Sequence, residues 1–277
     1  MITEPNVKIN LGLNVLSRRP DGFHNLETLF VPYFGLKDRL EIITGDDYSH
    51  TLAQLLRQYP SPAQAVSPDG KLMVTIARKE GVHWDPLQDL TVKAYYALAA
   101  DYALPPMKIF LEKRSPVGAG LGGGSADAAF ALRMIASLAS LELPDETLAS
   151  YAATLGSDCA FFIYNRPMLG SGRGEVLEPY DGNLSRYRFE VFVPEGVAVS
   201  TADAYRGIVP HRPAKPLREV LSQDISTWKE ELKNDFEETV FARFPVLARV
   251  KPQLYAAGAS YASLSGSGAA FFSIFPR

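Results

Sequence analysis

The chain has 277 residues, of which 47% are hydrophobic and 21% charged, and its 28 Lys and Arg against 31 Asp and Glu give a formal net charge of −3. This length suits one large domain or two smaller ones, and the apolar content is sufficient for a buried core. Proteins that bind duplex nucleic acid normally carry a basic excess, so the charge argues against nucleic acid as a partner. The single cysteine, Cys159, excludes an internal disulfide and a zinc site built on paired cysteines.

The sequence also argues against secretion and membrane insertion. The first residues contain no basic segment followed by an apolar one, so we expect no secretory signal. The most apolar run, residues 126–141, contains Asp127 and Arg133 and is shorter than the ~20 apolar residues that a membrane span needs. We therefore expect a cytoplasmic protein without a membrane partner. The sequence is compatible with a monomer or a homodimer.

The N-terminal half begins with an alternating pattern. Apolar residues recur at every second position from Val7 to Val15, which predicts a strand with one apolar face. Lys8 and Asn10 would then lie together on the opposite face. The following elements are predicted as strands at 40–43, 72–77 and 107–111, a helix at 90–104 that Pro105 ends, and an inserted excursion rich in Gln, Ser and Pro at 46–70.

A glycine-rich segment at 116–125 leads directly into a predicted helix at 126–141. A second helix is expected from Asp145, with Gly156 placed to end it and Asp158 two residues beyond. The remaining elements are predicted as a junction at 165–174, a strand at 187–193, several helices within 217–258, and two strands joined by a turn at 266–268. Because helices and strands mix without regular alternation, we expect an α+β fold with two domains, residues 1–165 and 166–277.

The glycine-rich segment is the strongest functional signal. Glycine lets backbone N–H groups approach a ligand closely, and the N-terminus of the following helix favours an anion. Gly118, Gly120 and Gly123 match the G-x-G-x-x-G pattern of dinucleotide-binding proteins, so a nicotinamide oxidoreductase is one alternative. That pattern requires an acidic residue after the next strand, and residues 140–144 lie instead at a predicted helix end. Neither a Walker A loop nor the motifs of protein kinases occur in the chain.

Three segments resemble the motifs of the GHMP small-molecule kinases. The second family motif is similar to residues 116–126, the third to residues 265–269, and the N-terminal signature to Lys8-Ile9-Asn10-Leu11 with residues 19–24. Further matches follow in order at 89–94, 155–158, 172–175 and 234–237, so the resemblance covers nearly the whole chain. It implies the two-lobed GHMP-kinase fold, with an N-terminal nucleotide-binding lobe and a C-terminal ferredoxin-like lobe.

The resemblance implies an ATP-dependent kinase that phosphorylates the 2-hydroxyl of CDP-methylerythritol in non-mevalonate isoprenoid synthesis. The small-molecule partners would be ATP, accompanied by Mg²⁺, and this cytidine nucleotide, and no dedicated metal site is predicted. The alternatives are another GHMP kinase acting on homoserine, mevalonate or a sugar, and a nucleotide-binding module without activity. The residues expected to bind ATP are Pro116, Val117, Gly118, Ala119, Gly120, Leu121, Gly122, Gly123, Gly124, Ser125 and Ala126.

Phosphoryl transfer depends mainly on positioning and on charge neutralisation. The resemblance implies that Asp158 accepts the proton of the acceptor hydroxyl and that Lys8 pairs with Asp158 and stabilises the developing charge. Taken alone, a lysine on the polar face of a strand is commonly solvated, and an aspartate after a helix-ending glycine commonly caps or turns.

Five further residues are expected to bind the acceptor, namely Asn10, Phe23, His24, Thr201 and Tyr205. The resemblance implies that His24 contacts a cytosine ring and that Tyr205 supplies an aromatic face. The chain departs from the family pattern at Phe23, where tyrosine is commoner, and at Cys159-Ala160, where Val-Pro is usual. The excursion at 46–70 is also longer than usual.

Overall fold

The computed structural model describes residues 1–45 and 47–277, and Asp46, where the expected excursion starts, lies outside the described residues. The strands are β1 (Ile2–Thr3), β2 (Asn6–Arg18), β3 (His24–Lys37), β4 (Arg39–Thr44), β5 (Ala63–Val66), β6 (Leu72–Arg78), β7 (Met107–Lys113), β8 (Met168–Gly172), β9 (Val176–Pro179), β10 (Tyr187–Phe192), β11 (Tyr261–Leu264) and β12 (Phe271–Pro276). The α-helices are α1 (Leu52–Gln58), α2 (Leu90–Ala99), α3 (Gly123–Leu138), α4 (Asp145–Leu155), α5 (Cys159–Tyr164), α6 (Thr201–Tyr205), α7 (Leu217–Ser222), α8 (Ile225–Glu231), α9 (Phe236–Arg243) and α10 (Val250–Ala256). Short 3₁₀ helices lie at Pro86–Gln88 and Leu247–Arg249.

The chain forms two compact units, each made of separate segments. Unit 1 contains Met1–Val7, Leu36–Ser115 and Gly123–Asn165. Unit 2 contains Lys8–Gly35, Pro116–Gly122 and Arg166–Arg277. The division into two sequential domains at residue 165 stays a prediction, because compact units and evolutionary domains partition a chain by different criteria.

Unit 1 is built on a five-stranded sheet of order β1-β4-β7-β6-β5. Strands β6 and β7 are parallel, with Leu72 opposite Met107, and the chain between them contains α2. A parallel pair needs such a crossover, whereas antiparallel neighbours do not. Helix α3 packs against α2, α5 and β4. The α+β class expected from the sequence is confirmed.

The central helix of unit 1 starts earlier than predicted. Helix α3 begins at Gly123, three residues before the expected start, and ends at Leu138. Its many alanines favour a helix and allow neighbours to approach closely, so most of its residues are buried. Helix α2 ends at Ala99 rather than at residue 104. Pro105 disfavours helical backbone only at the residue directly before it, so it does not account for the earlier end at Ala99.

The predicted excursion is an integral part of unit 1. Strand β5 pairs antiparallel with β6, and Leu55 of α1 is fully buried. Leu55 packs in one apolar cluster with Ile43 and Phe110 of the sheet. Residues 47–70 therefore extend the sheet and add to its core.

Unit 2 contains a sheet of order β2-β3-β8-β9 and a second sheet of order β10-β12-β11. Its core gathers residues from distant parts of the chain, including Leu13, Val15, Phe236, Leu264 and Phe271. The strand expected at 187–193 and the strand–turn–strand at the C-terminus are confirmed as β10, β11 and β12. Strand β3 was not predicted, because its sequence lacks regular alternation.

Strand β2 differs from the prediction in one important respect. Every residue from Asn6 to Val15 is buried, so the strand has no solvated face. The face expected to be polar and open carries Lys8 and Asn10, which are 3% and 2% exposed. Among the described residues, none of the helices has the length and apolar content needed to cross a bilayer.

Candidate active site

In unit 2, strand β2 holds Lys8 against the glycine-rich segment. The backbone N–H of Lys8 donates to the carbonyl of Leu121 at 2.9 Å, and its side-chain Nζ donates to the carbonyl of Gly120 at 3.0 Å. The same Nζ donates to Oδ1 of Asn10 at 2.5 Å and lies 5.6 Å from the centre of the Phe30 ring. Lys8 is therefore a positioned, buried side chain and not a solvated one.

Asn10 fixes the neighbouring polar group. While its Oδ1 accepts from Lys8, its Nδ2 donates to Oγ1 of Thr28 at 3.0 Å. The Thr28 hydroxyl in turn donates to the carbonyl of Gly12 at 2.6 Å. This chain of buried hydrogen bonds defines the position of each polar atom, because a buried donor without a partner is costly. Thr28 escaped the sequence analysis because it lies in a strand that was not predicted.

The glycines between Pro116 and Gly122 adopt left-handed backbone conformations, which other residues rarely adopt. Gly118, Gly120 and Gly122 all have positive φ, between 72° and 77°. A Cβ on Gly120 would lie 2.2 Å from the carbonyl oxygen of Ser265. At Gly120 the segment therefore needs glycine both for its dihedral angle and for the close approach of another backbone.

That neighbouring backbone is the turn that matches the third family motif. The hydroxyl of Ser265 donates to the carbonyl of Gly120 at 3.2 Å, and the N–H of Ala270 donates to the carbonyl of Ala119 at 3.1 Å. Nδ2 of Asn234 donates to the carbonyls of Leu264 and Gly266, both at 2.9 Å. The second and third motifs thus lie side by side in unit 2, which the separation of 145 residues between Gly120 and Ser265 could not reveal.

In unit 1, the remaining residues of the glycine-rich motif form the first turn of α3. Gly123, Gly124, Ser125 and Ala126 are its first four residues. The first N–H groups of a helix have no partner within the helix, and they favour a phosphate oxygen. Ser125 is half-buried and Gly124 is exposed in this turn.

Asp158 lies directly before α5, at the position of an N-terminal cap. Its side chain makes no capping hydrogen bond to that helix, and the residue is half-buried. Of the two structural roles that the sequence pattern alone favoured for Asp158, the helix cap is therefore wrong, whereas the residue does lie in a turn. Gly156 follows α4 with a φ of 175°, which is ordinary extended backbone.

Cys159, one of the departures from the family pattern, lies beside the predicted phosphate-binding serine. Its thiol is hydrogen-bonded to the side chain of Ser125, and a Cβ on Gly156 would lie 3.2 Å from Sγ of Cys159 and 4.0 Å from Oγ of Ser125. Burial and the charge of Asp158 raise the pKa of this thiol to about 12, although the hydrogen bond to Ser125 opposes the change. The thiol is therefore protonated and unreactive at neutral pH.

The residues expected to hold the acceptor all belong to unit 2, and two of them, His24 and Tyr205, are in contact. The ring of His24 stacks on Tyr205 with centroids 4.7 Å apart and planes inclined by 19°, and Tyr205 meets Phe236 edge-on at 4.8 Å. Burial, with a smaller effect of the charge on Arg18, lowers the pKa of His24, so its imidazole is neutral at pH 7.

Two further predicted residues are more accessible. Phe23 is 52% exposed, and the guanidinium of Arg173 lies 4.9 Å from the centre of its ring. Thr201 is exposed and its hydroxyl lies 3.4 Å from that of Ser267, in the turn of the third motif. Sequence reasoning included neither Arg173 nor Ser267 among the site residues, although both lie in motifs that it recognised. Among the described residues, no group of three or more His, Cys, Asp or Glu side chains is arranged to hold a metal ion.

Comparison with known proteins identifies the family of the chain. Residues 89–166 match the GHMP kinases N terminal domain, and residues 216–277 match the GHMP kinases C terminal domain. A solved homoserine kinase from Cytophaga hutchinsonii has the same fold, with a TM-score of 0.64 and 17% identity over 98% of this chain and 85% of that chain. The fold and both domain matches define a small-molecule kinase of the GHMP class.

More specific relatives match over about nine-tenths of their own length. The 4-diphosphocytidyl-2-C-methyl-D-erythritol kinase of Bacteroides fragilis is 44% identical over 99% of this chain and 92% of its own. The protein of the same name from Parabacteroides distasonis is 43% identical over 100% of this chain and 92% of its own. A crystal structure of a 4-(cytidine 5'-diphospho)-2C-methyl-D-erythritol kinase is 32% identical, with a TM-score of 0.74 over 99% of this chain and 89% of that chain. Within the GHMP kinases, the chain belongs to the 4-diphosphocytidyl-2-C-methyl-D-erythritol kinase family.

Proposed function

We propose that this protein transfers the γ-phosphoryl group of ATP to the 2-hydroxyl of 4-diphosphocytidyl-2-C-methyl-D-erythritol (CDP-ME), a step of non-mevalonate isoprenoid synthesis in the cytoplasm. The observation that carries the proposal is the 44% identity, over 99% of the chain, to a kinase named for this substrate. The defined contacts of Lys8 and Asn10 and the stacking of His24 on Tyr205 support it.

The donor would bind at the glycine-rich motif, residues 116–126. Positive φ at three of its glycines is consistent with a segment whose backbone N–H groups face a ligand, and the first turn of α3 contributes further N–H groups. Mg²⁺ bound to ATP keeps most of its ligands from phosphate and water and needs only one or two protein oxygens. The hydroxyl of Ser125, held by Cys159, is a suitable oxygen for a phosphate or for this ion. The ion would neutralise charge on the triphosphate.

Lys8 would stabilise the charge that develops between the acceptor oxygen and the transferred group. Support comes from its burial and from its three defined neighbours, Gly120, Asn10 and the Phe30 ring. A positive group in a largely dry environment interacts more strongly with developing negative charge than it would in water. Asn10 would orient both Lys8 and the acceptor, because each end of its amide has a fixed direction.

Asp158 would accept the proton of the acceptor hydroxyl. A carboxylate suits this role when substrate can reach it. Asp158 is half-buried, and its side chain does not cap helix α5. The pairing of Lys8 with Asp158 is part of the same proposal and derives from the family resemblance.

The cytidine part of the acceptor would contact Phe23, His24 and Tyr205, and Thr201 would supply a hydroxyl. A neutral His24 offers one donor and one acceptor to a cytosine edge. Stacked aromatic rings present flat apolar surfaces of the size of a pyrimidine.

An acceptor panel tests the proposed substrate. The protein is incubated with Mg·ATP and, separately, with CDP-ME, mevalonate, homoserine and a sugar, and ADP and the phosphorylated product are quantified by mass spectrometry. We expect stoichiometric ADP and phosphorylated product with CDP-ME and background ADP with the others. Turnover of mevalonate or homoserine without turnover of CDP-ME would overturn the proposed substrate, and nucleotide binding without ADP from any acceptor would overturn the kinase activity.

A further inference from the structure

A buried group of charged residues in unit 1 lies at the place where the chain enters and leaves the glycine-rich segment. Lys113, the last residue of β7, places its Nζ in contact with Oδ2 of Asp38 and 2.6 Å from Oδ2 of Asp127. The side chains of Lys113, Asp38 and Asp127 are 4%, 1% and 2% exposed. Neither the sequence motifs nor the proposed chemistry assigns this group, which we call the buried lysine cluster (Asp38, Lys113, Ser115 and Asp127), a role.

Asp38 is the fully satisfied member of the cluster. Its Oδ1 accepts from the backbone N–H groups of Arg114 and Ser115 at 2.6 and 2.7 Å. Its Oδ2 accepts from Lys113 and from the hydroxyl of Ser115 at 2.7 Å. Asp38 therefore immobilises three consecutive residues, 113–115, immediately before the glycine-rich segment.

Asp127 connects the same lysine to helix α3. It is the fifth residue of that helix, and its Oδ2 accepts from Lys113 while its Oδ1 has no hydrogen-bond partner in the described part of the chain. A half-satisfied buried carboxyl is expensive to maintain. Asp127 therefore fixes the start of α3 to β7 at a cost in stability.

The two ends of the segment also touch directly. A Cβ on Gly123, the first residue of α3, would lie 2.5 Å from Oγ of Ser115 and 3.4 Å from Nζ of Lys113. The chain thus leaves the cluster at Ser115 and returns to it at Gly123. The seven residues between them, Pro116–Gly122, have both ends fixed by the same set of hydrogen bonds.

We propose that the buried lysine cluster is a positioning device for ATP: Lys113, bound to both Asp38 and Asp127, holds the two ends of the glycine-rich segment at the separation that its phosphate-binding conformation requires. The proposal rests on the proposed function, since it takes residues 116–126 as the ATP site. None of the cluster residues needs to touch substrate. Fixing both ends of a short loop removes conformations in which its N–H groups would point elsewhere, so the loop is already organised before the nucleotide binds.

The decisive variants are Lys113→Met and the double variant Lys113→Met with Asp127→Asn. Lys113→Met removes the hydrogen bonds to both acids but leaves their two buried carboxyl groups close together, so it is also expected to lower stability. The double variant removes one of these acids as well and should recover stability, while the connection between β7 and α3 stays broken. Lys251→Met, which removes a similar ion pair to Glu237 at 2.6 Å in unit 2, is the matched control.

Four quantities are measured for each variant: the thermal midpoint, the KM for ATP, the KM for CDP-ME, and the dissociation constant of ATP by calorimetry without acceptor. For the double variant we expect the KM and dissociation constant of ATP to rise about 10-fold to 100-fold, with the KM for CDP-ME within about threefold of the parent. Lys251→Met should leave all three binding constants unchanged. Parental ATP affinity in the stabilised double variant, or an equal loss for ATP and CDP-ME, would show that the cluster serves stability alone.

The calorimetric measurement separates this proposal from the proposed function. If the parent binds ATP but does not phosphorylate CDP-ME, the substrate assignment fails while the role of the cluster is still decided by the ATP affinities. If the double variant binds ATP as the parent does and both turn over CDP-ME, the proposed function stands and the positioning role is refuted.

Discussion

Lys8 illustrates how burial restricts the position of a polar side chain. Lys8 is 3% exposed, and its Nζ has the carbonyl of Gly120 and the amide of Asn10 as acceptors. Burying a charged group is costly without such partners. A lysine that is buried and directed by two neighbours has a fixed position, as the role in electrostatic catalysis that we propose for Lys8 requires.

Asp158→Asn tests the proposed base. The amide keeps the shape of the side chain but cannot accept the hydroxyl proton, so we expect kcat to fall by about 10²–10⁴-fold while the dissociation constant of ATP changes little. Steady-state kinetics and calorimetry measure the two effects. Asp145→Asn, at the start of α4 in the same unit, is a control that should keep parental kcat. An Asp158→Asn protein with parental turnover would remove this residue from the mechanism.

At the scale of elements, the glycine-rich segment and the β11–β12 turn can pack closely because Gly120 has no side chain. Gly120 lies against the backbone of Ser265 and Gly268, and the contacts of Ser265 and Ala270 complete the interface. The sequence predicted a phosphate-binding loop here but not its partner. The reason is that contacts between backbones leave a sequence signature only as glycine, which is equally typical of a turn.

Gly120→Ala and Gly118→Ala separate the two demands on this segment. Both glycines have positive φ, so both alanines are strained, but only the Cβ at position 120 would collide with backbone, whereas nothing lies within 4 Å of that at 118. We expect Gly120→Ala to lower the free energy of unfolding by about 1–3 kcal/mol more than Gly118→Ala does, as overpacking typically costs. Denaturant titration measures both values. Equal losses would contradict the close backbone approach.

At the scale of the whole molecule, the buried lysine cluster links stability to pH. Burial, with smaller effects of Asp38 and Asp89, raises the pKa of Asp127 well above its usual range, although Lys113 opposes the change. At a pH between the unfolded and the folded pKa, the unfolded chain releases the proton and the folded chain keeps it. Asp127 therefore lowers the free energy of unfolding progressively as the pH rises above about 4.

Asp127→Asn tests this linkage, because asparagine has nearly the same shape and does not titrate. We expect the free energy of unfolding of the variant to increase relative to that of the parent between pH 4 and pH 7, so that the variant gains stability over the parent as the pH rises. The change should be about 1.4 kcal/mol for each pH unit by which the folded pKa of Asp127 exceeds the unfolded one. Urea titrations across this pH range measure it. A relative stability that moves in favour of the parent instead would mean that Asp127 is ionised and stabilised by Lys113.

The sequence by itself determined the class of fold, the glycine-rich motif, most helices and strands, and the family. These are properties of local pattern: alternation, alanine content, proline and glycine positions, and short motifs in a fixed order. It misjudged the boundaries of α2 and α3 and missed β3, where residues 24–37 lack a regular period. It also left residues 46–70 without a role, since the packing of Leu55 on the sheet depends on residues distant in the chain.

Only the tertiary structure decided what surrounds each polar side chain. The pattern placed Lys8 and Asn10 on one polar face but did not show that this face is buried. The hydrogen bond from Lys8 to Gly120 joins residues 112 positions apart, which no local pattern reveals. The contact between Lys113 and Asp38 likewise joins residues 75 positions apart, and no sequence motif predicted it. Local pattern determines much of the secondary structure because backbone conformation depends mainly on residues close together in the chain. The energy of a buried charge depends instead on the groups that the fold places beside it, which can be distant in the chain.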